Sequence, residues 1–242
     1  MPGIRPIPAS MDRHRLIGVG AETVERTFSF VDLAGFTALT EAHGDLDAMD
    51  LLDRFIGLAR ESLSAGDALV KSIGDAVMLA SPGPGAAVAA LAGLWERCSE
   101  TSGFLLPRAG AHHGPAISRD GDYLGATVNL AARVAGHAGG GQILVTSAVA
   151  IAARASGFEV AELGPHRLRN VAAPVALFEI RLGRDERSDT IDPVCRMRVE
   201  PEHAVGSLCH AGQRFWFCSI ACVAAFAADP GRYLISAGRE GA

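Results

Sequence analysis

Residues 28–37 read Phe-Ser-Phe-Val-Asp-Leu-Ala-Gly-Phe-Thr, and this stretch decides how the first part of the chain folds. The alternating, β-prone residues 27–31 predict a strand that ends at Asp32. The Ala-Gly pair at 34–35 then predicts a turn into a helix. A carboxylate at a strand end can reach a ligand. Unpaired N–H groups at a helix start suit phosphate, so the candidate phosphate-binding residues are Leu33, Ala34, Gly35, Phe36 and Thr37.

A second carboxylate stands in a similar setting. Residues 70–77 read Val-Lys-Ser-Ile-Gly-Asp-Ala-Val, and the pattern predicts strands at 68–70 and 76–79 joined by a turn that contains Asp75. Taken alone, Asp32 or Asp75 is typical of a turn or a helix cap. Together, two carboxylates can hold two divalent cations about 3.5–4 Å apart, which suits phosphoryl chemistry on a triphosphate.

The third informative stretch, residues 122–133, reads Asp-Tyr-Leu-Gly-Ala-Thr-Val-Asn-Leu-Ala-Ala-Arg. Asp122 ends a polar hairpin tip that begins at Arg119. Paired with Lys71, it offers an ammonium donor and a carboxylate acceptor. This pair matches the N1 acceptor and the N6 amino donor of adenine, whereas guanine has the opposite polarity on that edge. Taken separately, Lys71 and Asp122 are typical of surface residues.

Asn129 and Arg133 are four residues apart, so they share one face of a predicted helix. An amide can position a ribose, and a guanidinium can stabilise the charge that grows on an α-phosphate as pyrophosphate leaves. The alternative is a solvated helix face. The apolar neighbours favour a mostly buried helix in which Arg133 needs a partner; these neighbours are Val128, Leu130, Ala131, Ala132 and Val134.

These segments resemble the catalytic domain of class III adenylyl/guanylyl cyclases over roughly residues 24–182. The resemblance implies metal binding by Asp32 and Asp75, adenine selection by Lys71 and Asp122, and transition-state stabilisation by Asn129 and Arg133. Two Mg²⁺ or Mn²⁺ ions per active site follow from it. It also implies a head-to-tail homodimer whose sites take the two metal-binding aspartates from one chain and the other four residues from its partner. The expected reaction converts ATP to 3′,5′-cyclic AMP and pyrophosphate.

The remaining hydrophobic pattern predicts an α+β fold. One helix buries a stripe made of Met49, Leu52, Phe55, Ile56, Ala59 and Leu63. Another helix carries Val88, Leu91, Trp95 and Cys98 on one face. Further strands are predicted at 106–117, 142–146 and 176–182, with helices at 127–135 and 148–154. Strands that alternate with helices and hairpins indicate a sandwich with a ferredoxin-like βαββαβ core.

The chain is expected to divide into two domains with short connecting pieces. These are a lead-in at 1–20, the cyclase-like domain at 21–183, a charged linker at 184–189, a small domain at 190–236 and a tail at 237–242. The small domain contains four of the five cysteines. In a reducing compartment such a cluster indicates metal binding or redox sensing before structural disulfides.

The small domain carries a candidate second metal site. Cys218 and Cys222 are four residues apart on a predicted helix, and 22 residues separate Cys195 from Cys218. Three thiolates with Cys209 or His210 would form a four-coordinate site for Zn²⁺ or Cu⁺. The alternative is that the thiols are reduced and packed against aromatic residues. Four further histidines, His14, His43, His137 and His166, form no recognisable ligand spacing.

The segment that contains these cysteines resembles a YHS domain, which is related to the TRASH group of small metal-associated modules. The resemblance rests on Ile-Asp-Pro-Val-Cys-Arg-Met at 191–197 and on Cys218-x3-Cys222. The family usually has Gly after the first of these cysteines, where this chain has Arg196.

Bulk composition narrows the classes of partner. Of the 242 residues, 49% are hydrophobic, and the net charge is −5, which argues against a general nucleic-acid or anionic-membrane surface. The longest apolar run, residues 86–95, is far below the ~20 residues of a membrane span. A secretory signal is not apparent, so a cytoplasmic location is the simplest expectation.

Two other functions remain open from the sequence. One is a guanylyl cyclase or a cyclase of relaxed specificity. The other is a non-catalytic sensor, in which the cyclase-like domain dimerises or binds nucleotide while the small domain responds to metal or redox state. Intact residues at all six positions argue against the sensor.

Overall fold

The computed structural model describes residues 21–182 and 190–234. The strands are β1 (Glu22–Leu33), β2 (Ala68–Ile73), β3 (Ala76–Ser81), β4 (Pro107–Arg119), β5 (Asp122–Leu124), β6 (Ile143–Val145), β7 (Glu159–His166), β8 (Val175–Arg181), β9 (Gly206–His210) and β10 (Gln213–Phe217). The helices are α1 (Phe36–His43), α2 (Asp45–Glu61), α3 (Pro84–Glu100), α4 (Ala126–Ala135), α5 (Ser147–Ala155), α6 (Ile220–Ala228) and α7 (Pro230–Leu234). The expected lead-in, linker and tail lie outside the described residues.

The large sheet confirms the expected α+β architecture. Its strand order is β2-β3-β1-β4-β6-β8-β7, and β5 pairs with β4. The neighbours are antiparallel except for β4 and β6, which are parallel. The order β4-β1-β3-β2, with helices in the two connections that are not hairpins, is the ferredoxin-like βαββαβ core. The sequence pattern did not reveal strand β7.

The two faces of the sheet are covered by different helices, because successive side chains of a strand point to opposite sides. Val31 and Leu33 of β1 join the core that also contains buried residues of α1, α2, α3 and α5. Phe28 of the same strand packs with Val128 and Ala131 of α4 on the other face. By this alternation Asp32 lies on the α4 side of the sheet.

Two glycines of β4 allow α4 to lie directly on the sheet. A Cβ at Gly110 would stand 1.9 Å from the backbone nitrogen of Ala135, and one at Gly114 would stand 3.0 Å from Oγ1 of Thr127. Thr127 Oγ1 also donates to the carbonyl oxygen of Pro115 at 2.5 Å. Helix α4 is therefore held close to the sheet at both of its ends.

The C-terminal segment packs onto the large domain and shares its core. It consists of the β9–β10 hairpin, which is a separate two-stranded sheet, followed by α6 and α7. Val194, Phe217 and Phe226 belong to the same buried cluster as Phe104 and Leu105 of the large domain. Residues Leu105 and Met197 form an isolated β-bridge between the two parts.

An arginine of the C-terminal segment caps a helix of the large domain. Nη2 of Arg198 donates to the carbonyl oxygens of Cys98, Ser99 and Thr101 at 2.9, 2.8 and 2.9 Å. These carbonyls stand at the end of α3, where a helix has no internal donors for them. The backbone N–H of Arg198 also donates to the carbonyl of Phe104 at 3.0 Å. The two parts are thus joined by polar as well as apolar contacts.

The predicted helices are present, but three residues were misplaced. Cys218 lies before α6, which begins at Ile220, so it does not share that helix with Cys222. Leu63 lies beyond the end of α2 at Glu61. Val88, Leu91, Trp95 and Cys98 are buried on α3, as expected. Met49, expected in the buried stripe of α2, is 60% exposed, because the buried face of α2 runs through Ala48, Phe55 and Ala59 instead. Among residues 21–182 and 190–234, every helix is too short or too polar to cross a lipid bilayer.

Candidate active site and metal centre

Asp32 lies near the end of β1 and pairs with an arginine on the neighbouring strand. In the antiparallel register Asp32 stands opposite Arg108 of β4. Nη2 and Nε of Arg108 both donate to Oδ2 of Asp32, at 2.7 and 3.0 Å. The other carboxylate oxygen, Oδ1, is buried and has no hydrogen-bond partner in the described part of the chain. A buried carboxylate oxygen without a donor needs a cation or another polar group.

Asp75 brings a second carboxylate to the same place. It follows Gly74 in the turn between β2 and β3. Burial and then the nearby negative charge of Asp32 raise the pKa of Asp75, so the two carboxyl groups are close to each other. The structure therefore brings Asp32 and Asp75 together. Two close carboxylates, one with an unsatisfied oxygen, suit divalent cations, which take oxygen ligands.

The loop between Asp32 and α1 has the geometry of a helix start. Gly35 is the N-cap of α1 and has φ +87°, a backbone conformation that favours glycine. A Cβ at this position would stand 2.4 Å from Cβ of Arg196, so the arginine stem fills the space beside the loop. Phe36 and Thr37 begin the helix, as the sequence predicted. The phosphate-binding role of the loop stays a prediction.

Lys71 and Asp122 form an ion pair within one chain. Nζ of Lys71 on β2 lies 2.5 Å from Oδ2 of Asp122, which is the first residue of β5. Oδ1 of Asp122 accepts from the backbone N–H of Tyr123 at 2.8 Å. The pKa of Asp122 is lowered, first by the hydrogen bond from Lys71 and then by the one from Tyr123. Both side chains remain more than one third exposed, so a ligand can reach them.

Asn129 and Arg133 lie on the outward face of α4. The helix buries Thr127, Val128, Ala131, Val134 and Ala135 against the sheet. Asn129 and Arg133 are exposed. The expectation that their apolar neighbours bury them was wrong for a single chain, because those neighbours point inward and the two polar residues point away. Within the described residues, Arg133 has no ion-pair partner.

A second constellation joins the C-terminal segment to the large domain. The ligand atoms of His43, Cys195, Cys218 and Cys222 all lie within 4.8 Å of one another. Sγ of Cys218 lies 3.3 Å from Sγ of Cys195 and 3.8 Å from Sγ of Cys222. Nε2 of His43 lies 3.5 Å from Sγ of Cys218 and 3.8 Å from Sγ of Cys222.

The fourth member of this cluster differs from the sequence prediction. Cys209 and His210 were the expected candidates, but both are exposed on β9 and neither belongs to the cluster. His43, the last residue of α1, takes that place. The hairpin register explains the difference, since Cys209 and His210 pair with Arg214 and Gln213 near the turn.

The pKa values of the three thiols depend on one another. Hydrogen bonds from the Cys195 and Cys218 thiols lower the pKa of Cys222. The pKa of Cys195 is raised, first by its hydrogen bonds to Cys218 and Cys222 and then by burial. Because a thiol must lose its proton to bind a metal ion, the lowered pKa of Cys222 fits a ligand role.

Comparison with known families is decisive for the large domain. Residues 21–180, well over half of the chain, match the family described as the adenylate and guanylate cyclase catalytic domain. This chain belongs to the class III nucleotide cyclases. Residues 190–236 match the YHS domain family. The cyclase family implies a nucleotide substrate and divalent metal ions.

Several named proteins are similar to this cyclase. The pH-sensitive adenylate cyclase MT1302 of Mycobacterium tuberculosis (strain CDC 1551 / Oshkosh) is 39% identical over 161 residues, which cover 65% of this chain and 41% of that protein. An adenylate cyclase of Streptomyces coelicolor (strain ATCC BAA-471 / A3(2) / M145) is 33% identical over 149 residues, which cover 60% of this chain and 39% of that protein. The chain therefore spans less than half the length of either relative.

Solved structures confirm the fold. The crystal structure of the adenylyl cyclase CyaB from P. aeruginosa superposes with a TM-score of 0.58 at 22% sequence identity. The match covers 69% of this chain and 99% of that structure.

Two residues of this cyclase escaped sequence reasoning. Arg108 carries no motif of its own, and only the β1–β4 register places it beside Asp32. His43 lies 152 positions before Cys195, so no ligand spacing could reveal it. The available signal was weak: the histidine ends a predicted helix and is followed by Gly44.

Proposed function

We propose that this cyclase converts ATP to 3′,5′-cyclic AMP and pyrophosphate at the interface of a homodimer. The observation that supports this choice of base is the Lys71–Asp122 ion pair, which forms within a single chain and is accessible to a ligand. The adenylate cyclases of Mycobacterium tuberculosis and Streptomyces coelicolor, which are similar over most of the catalytic domain, support the same choice.

Base selection follows from hydrogen-bond polarity. The ammonium of Lys71 donates to N1 of adenine, and the carboxylate of Asp122 accepts from the N6 amino group. Guanine presents a donor at N1 and an acceptor at O6, so each protein group would face a group of its own kind. A mismatched base leaves polar groups unpaired and loses affinity.

Asp32 and Asp75 are the proposed ligands of Mg²⁺ or Mn²⁺, two ions per site. The buried, unpartnered Oδ1 of Asp32 and the raised pKa of Asp75 both fit a site that gains a cation. When bound, the ions neutralise and polarise the triphosphate. In the chain itself, Arg108 keeps Asp32 oriented at the strand end by two hydrogen bonds.

The reaction forms one phosphorus–oxygen bond and breaks another. The ribose 3′ oxygen attacks the α-phosphorus in line with the departing pyrophosphate, and the 3′-hydroxyl proton is released. Backbone N–H groups at the start of α1 bind the leaving phosphates. Asn129 positions the ribose, and Arg133 stabilises the negative charge that develops on the transferred phosphate.

The homodimer is supported by groups that a single chain leaves unused. Asn129 and Arg133 project outward from α4 on a face that no described residue covers. Large apolar side chains near the site are also exposed, with Ile73 at 53% and Leu124 at 54%. In a symmetric dimer, Arg133 of one chain would reach the carboxylates of the other, and the apolar side chains would be buried.

The direct test is product identification. The purified chain is incubated with ATP or GTP in the presence of Mn²⁺ or Mg²⁺, and the products are separated and identified by mass spectrometry. We expect cyclic AMP and pyrophosphate, with a kcat/KM for ATP above that for GTP. A preference for GTP would contradict the base assignment, and the absence of any cyclic nucleotide would contradict the catalytic assignment.

A further inference from the structure

We propose that His43, Cys195, Cys218 and Cys222 form one Zn²⁺ site that is shared between the cyclase domain and the YHS domain. Three ligands belong to the C-terminal segment, and the fourth is the last residue of helix α1 in the cyclase domain. The site would therefore fasten the two domains to each other. This inference concerns metal binding and does not depend on which nucleotide is cyclised.

The distances between the ligand atoms fit a tetrahedral zinc ion. With Zn–S bonds of about 2.3 Å and Zn–N bonds of about 2.0–2.1 Å, two sulfurs lie about 3.8 Å apart and a sulfur and a nitrogen about 3.6 Å apart. The observed S···S distances are 3.3 and 3.8 Å, and the observed S···N distances are 3.5 and 3.8 Å. These four distances lie within about 0.5 Å of the tetrahedral values, and the remaining two pairs of ligand atoms lie within 4.8 Å of each other.

The cysteines are held in place by hydrogen bonds of their backbone. Asp192 is fully buried, and its Oδ1 accepts from the N–H of Val194 at 2.8 Å while its Oδ2 accepts from the N–H of Cys218 at 2.9 Å. Oγ of Ser219 accepts from the N–H of Cys222 at 3.1 Å and caps α6. One carboxylate thus ties the Cys195 loop to the Cys218 loop, so the thiols are positioned before metal binds.

The YHS segment is fixed against the cyclase domain, which carries His43, by contacts that need no metal. The Arg198 cap on α3 and the Leu105–Met197 bridge fix the YHS segment against the cyclase domain. A cavity of about 190 Å³ between α1 and α6 is bordered by Ala42 and Cys222. One ligand of the cluster, Cys222, therefore borders a cavity.

With the proposed site, the YHS segment would contact both ends of helix α1. At its C-terminal end, His43 would share a metal ion with the three cysteines. At its N-terminal end, the stem of Arg196, the residue after Cys195, packs on Gly35 of the candidate phosphate-binding loop. The helix has only eight residues, about 12 Å of length, so the two contacts act on one short rigid element.

Metal binding by the full chain tests the proposal without nucleotide. The reduced, metal-depleted protein is titrated with Zn²⁺, and in parallel with Co²⁺, whose visible absorption reports a tetrahedral thiolate site. We expect one ion per chain. The His43→Ala variant should bind Zn²⁺ at least about tenfold more weakly, because it replaces a protein ligand by water. It should also change the Co²⁺ absorption bands.

Two further variants separate a lost ligand from a disturbed fold. His210→Ala removes an exposed histidine of the same segment and should bind Zn²⁺ as the unchanged protein does. His43→Cys supplies a fourth thiolate and should restore tight binding with a shifted Co²⁺ spectrum. The proposal fails if His43→Ala keeps the full affinity, if His210→Ala loses it, or if the unchanged chain takes up no stoichiometric Zn²⁺.

Discussion

The molecule contains two candidate metal centres that are built in opposite ways. The carboxylate centre, Asp32 and Asp75, draws its residues from the end of β1 and from the β2–β3 turn of one sheet, while Asn129 and Arg133 face outward from α4. The thiol centre draws on both domains and brings all four of its ligand atoms together within one chain. We call the carboxylate centre open, because its protein ligands would leave coordination positions free, and the thiol centre closed, because four protein ligands would fill it.

This difference matches the chemistry of the two centres. A catalytic metal site keeps open positions for substrate, whereas a structural zinc site uses protein ligands for all four. Within the described residues, Asp32 Oδ1 at the carboxylate centre is buried without a hydrogen-bond partner, whereas Cys195 and Cys218 of the thiol centre are hydrogen-bonded to each other. We therefore expect changes at the open centre to affect the reaction itself, and changes at the closed centre to act mainly through the position of α1.

The largest expected effect comes from removing a carboxylate of the open centre. Asp32→Ala should lower kcat for cyclic AMP formation by about 10³-fold or more, because the cations lose a buried ligand. Asp53→Ala changes an exposed aspartate of α2 and should leave kcat unchanged. A steady-state assay with ATP and Mn²⁺ measures both. Native activity in Asp32→Ala would contradict the proposal that Asp32 binds the divalent cations.

The second expected effect tests whether the open centre is completed by a partner chain. Asp32→Ala and Arg133→Ala chains should each be nearly inactive alone. An equal mixture, unfolded and refolded together or allowed to exchange, should recover about a quarter of native activity, because half of the dimers are mixed and one of their two sites is intact.

The control for this mixture uses two variants with the same defect. Asp32→Ala mixed with Asp75→Ala should stay inactive, since both changes affect the same half of each site. Full inactivity of the Asp32→Ala and Arg133→Ala mixture, with mixed dimers present by mass spectrometry, would argue that each chain builds its site alone.

The third expected effect concerns base selection at the open centre. Changing Lys71→Glu and Asp122→Cys together should lower the ratio of kcat/KM for ATP to that for GTP by about 10²-fold, because the hydrogen-bond polarity no longer matches adenine. Asp120→Ala, in the same hairpin tip, is the matched control and should leave the ratio unchanged. An unaltered ratio in the double variant would show that other residues select the base.

The smallest expected effect is the influence of the closed centre on the reaction. If Zn²⁺ holds α1 and the loop at Gly35, then His43→Ala should raise KM for ATP about fivefold and change kcat less, since this loop is the proposed phosphate-binding site. His210→Ala should keep the native KM. Unchanged KM in His43→Ala protein that has lost its zinc would show that the site joins the domains without influencing the loop.

The sequence predicted a large part of this arrangement because several of its signals are local. Strand β1, the turn at Gly35, the hairpin that carries Asp75 and the hairpin tip before Asp122 follow from alternation and turn residues within short windows. Strand β7 was missed because its residues, Glu-Val-Ala-Glu-Leu-Gly-Pro-His, do not alternate regularly and include a Gly-Pro pair, which is typical of a turn. Met49 was misplaced because helical spacing fits two neighbouring faces of α2, and packing chose the other one.

By itself, the sequence determined the family and the α+β architecture, and it supplied six candidate polar residues, since each lies in a motif whose order and spacing are local properties of the chain. Only the tertiary structure decided which distant groups meet. The β1–β4 register set Arg108 against Asp32, and the packing of the YHS segment on α1 brought His43 to the three cysteines. Such contacts depend on the summed burial of two domains, a long-range free energy that no short window of sequence contains.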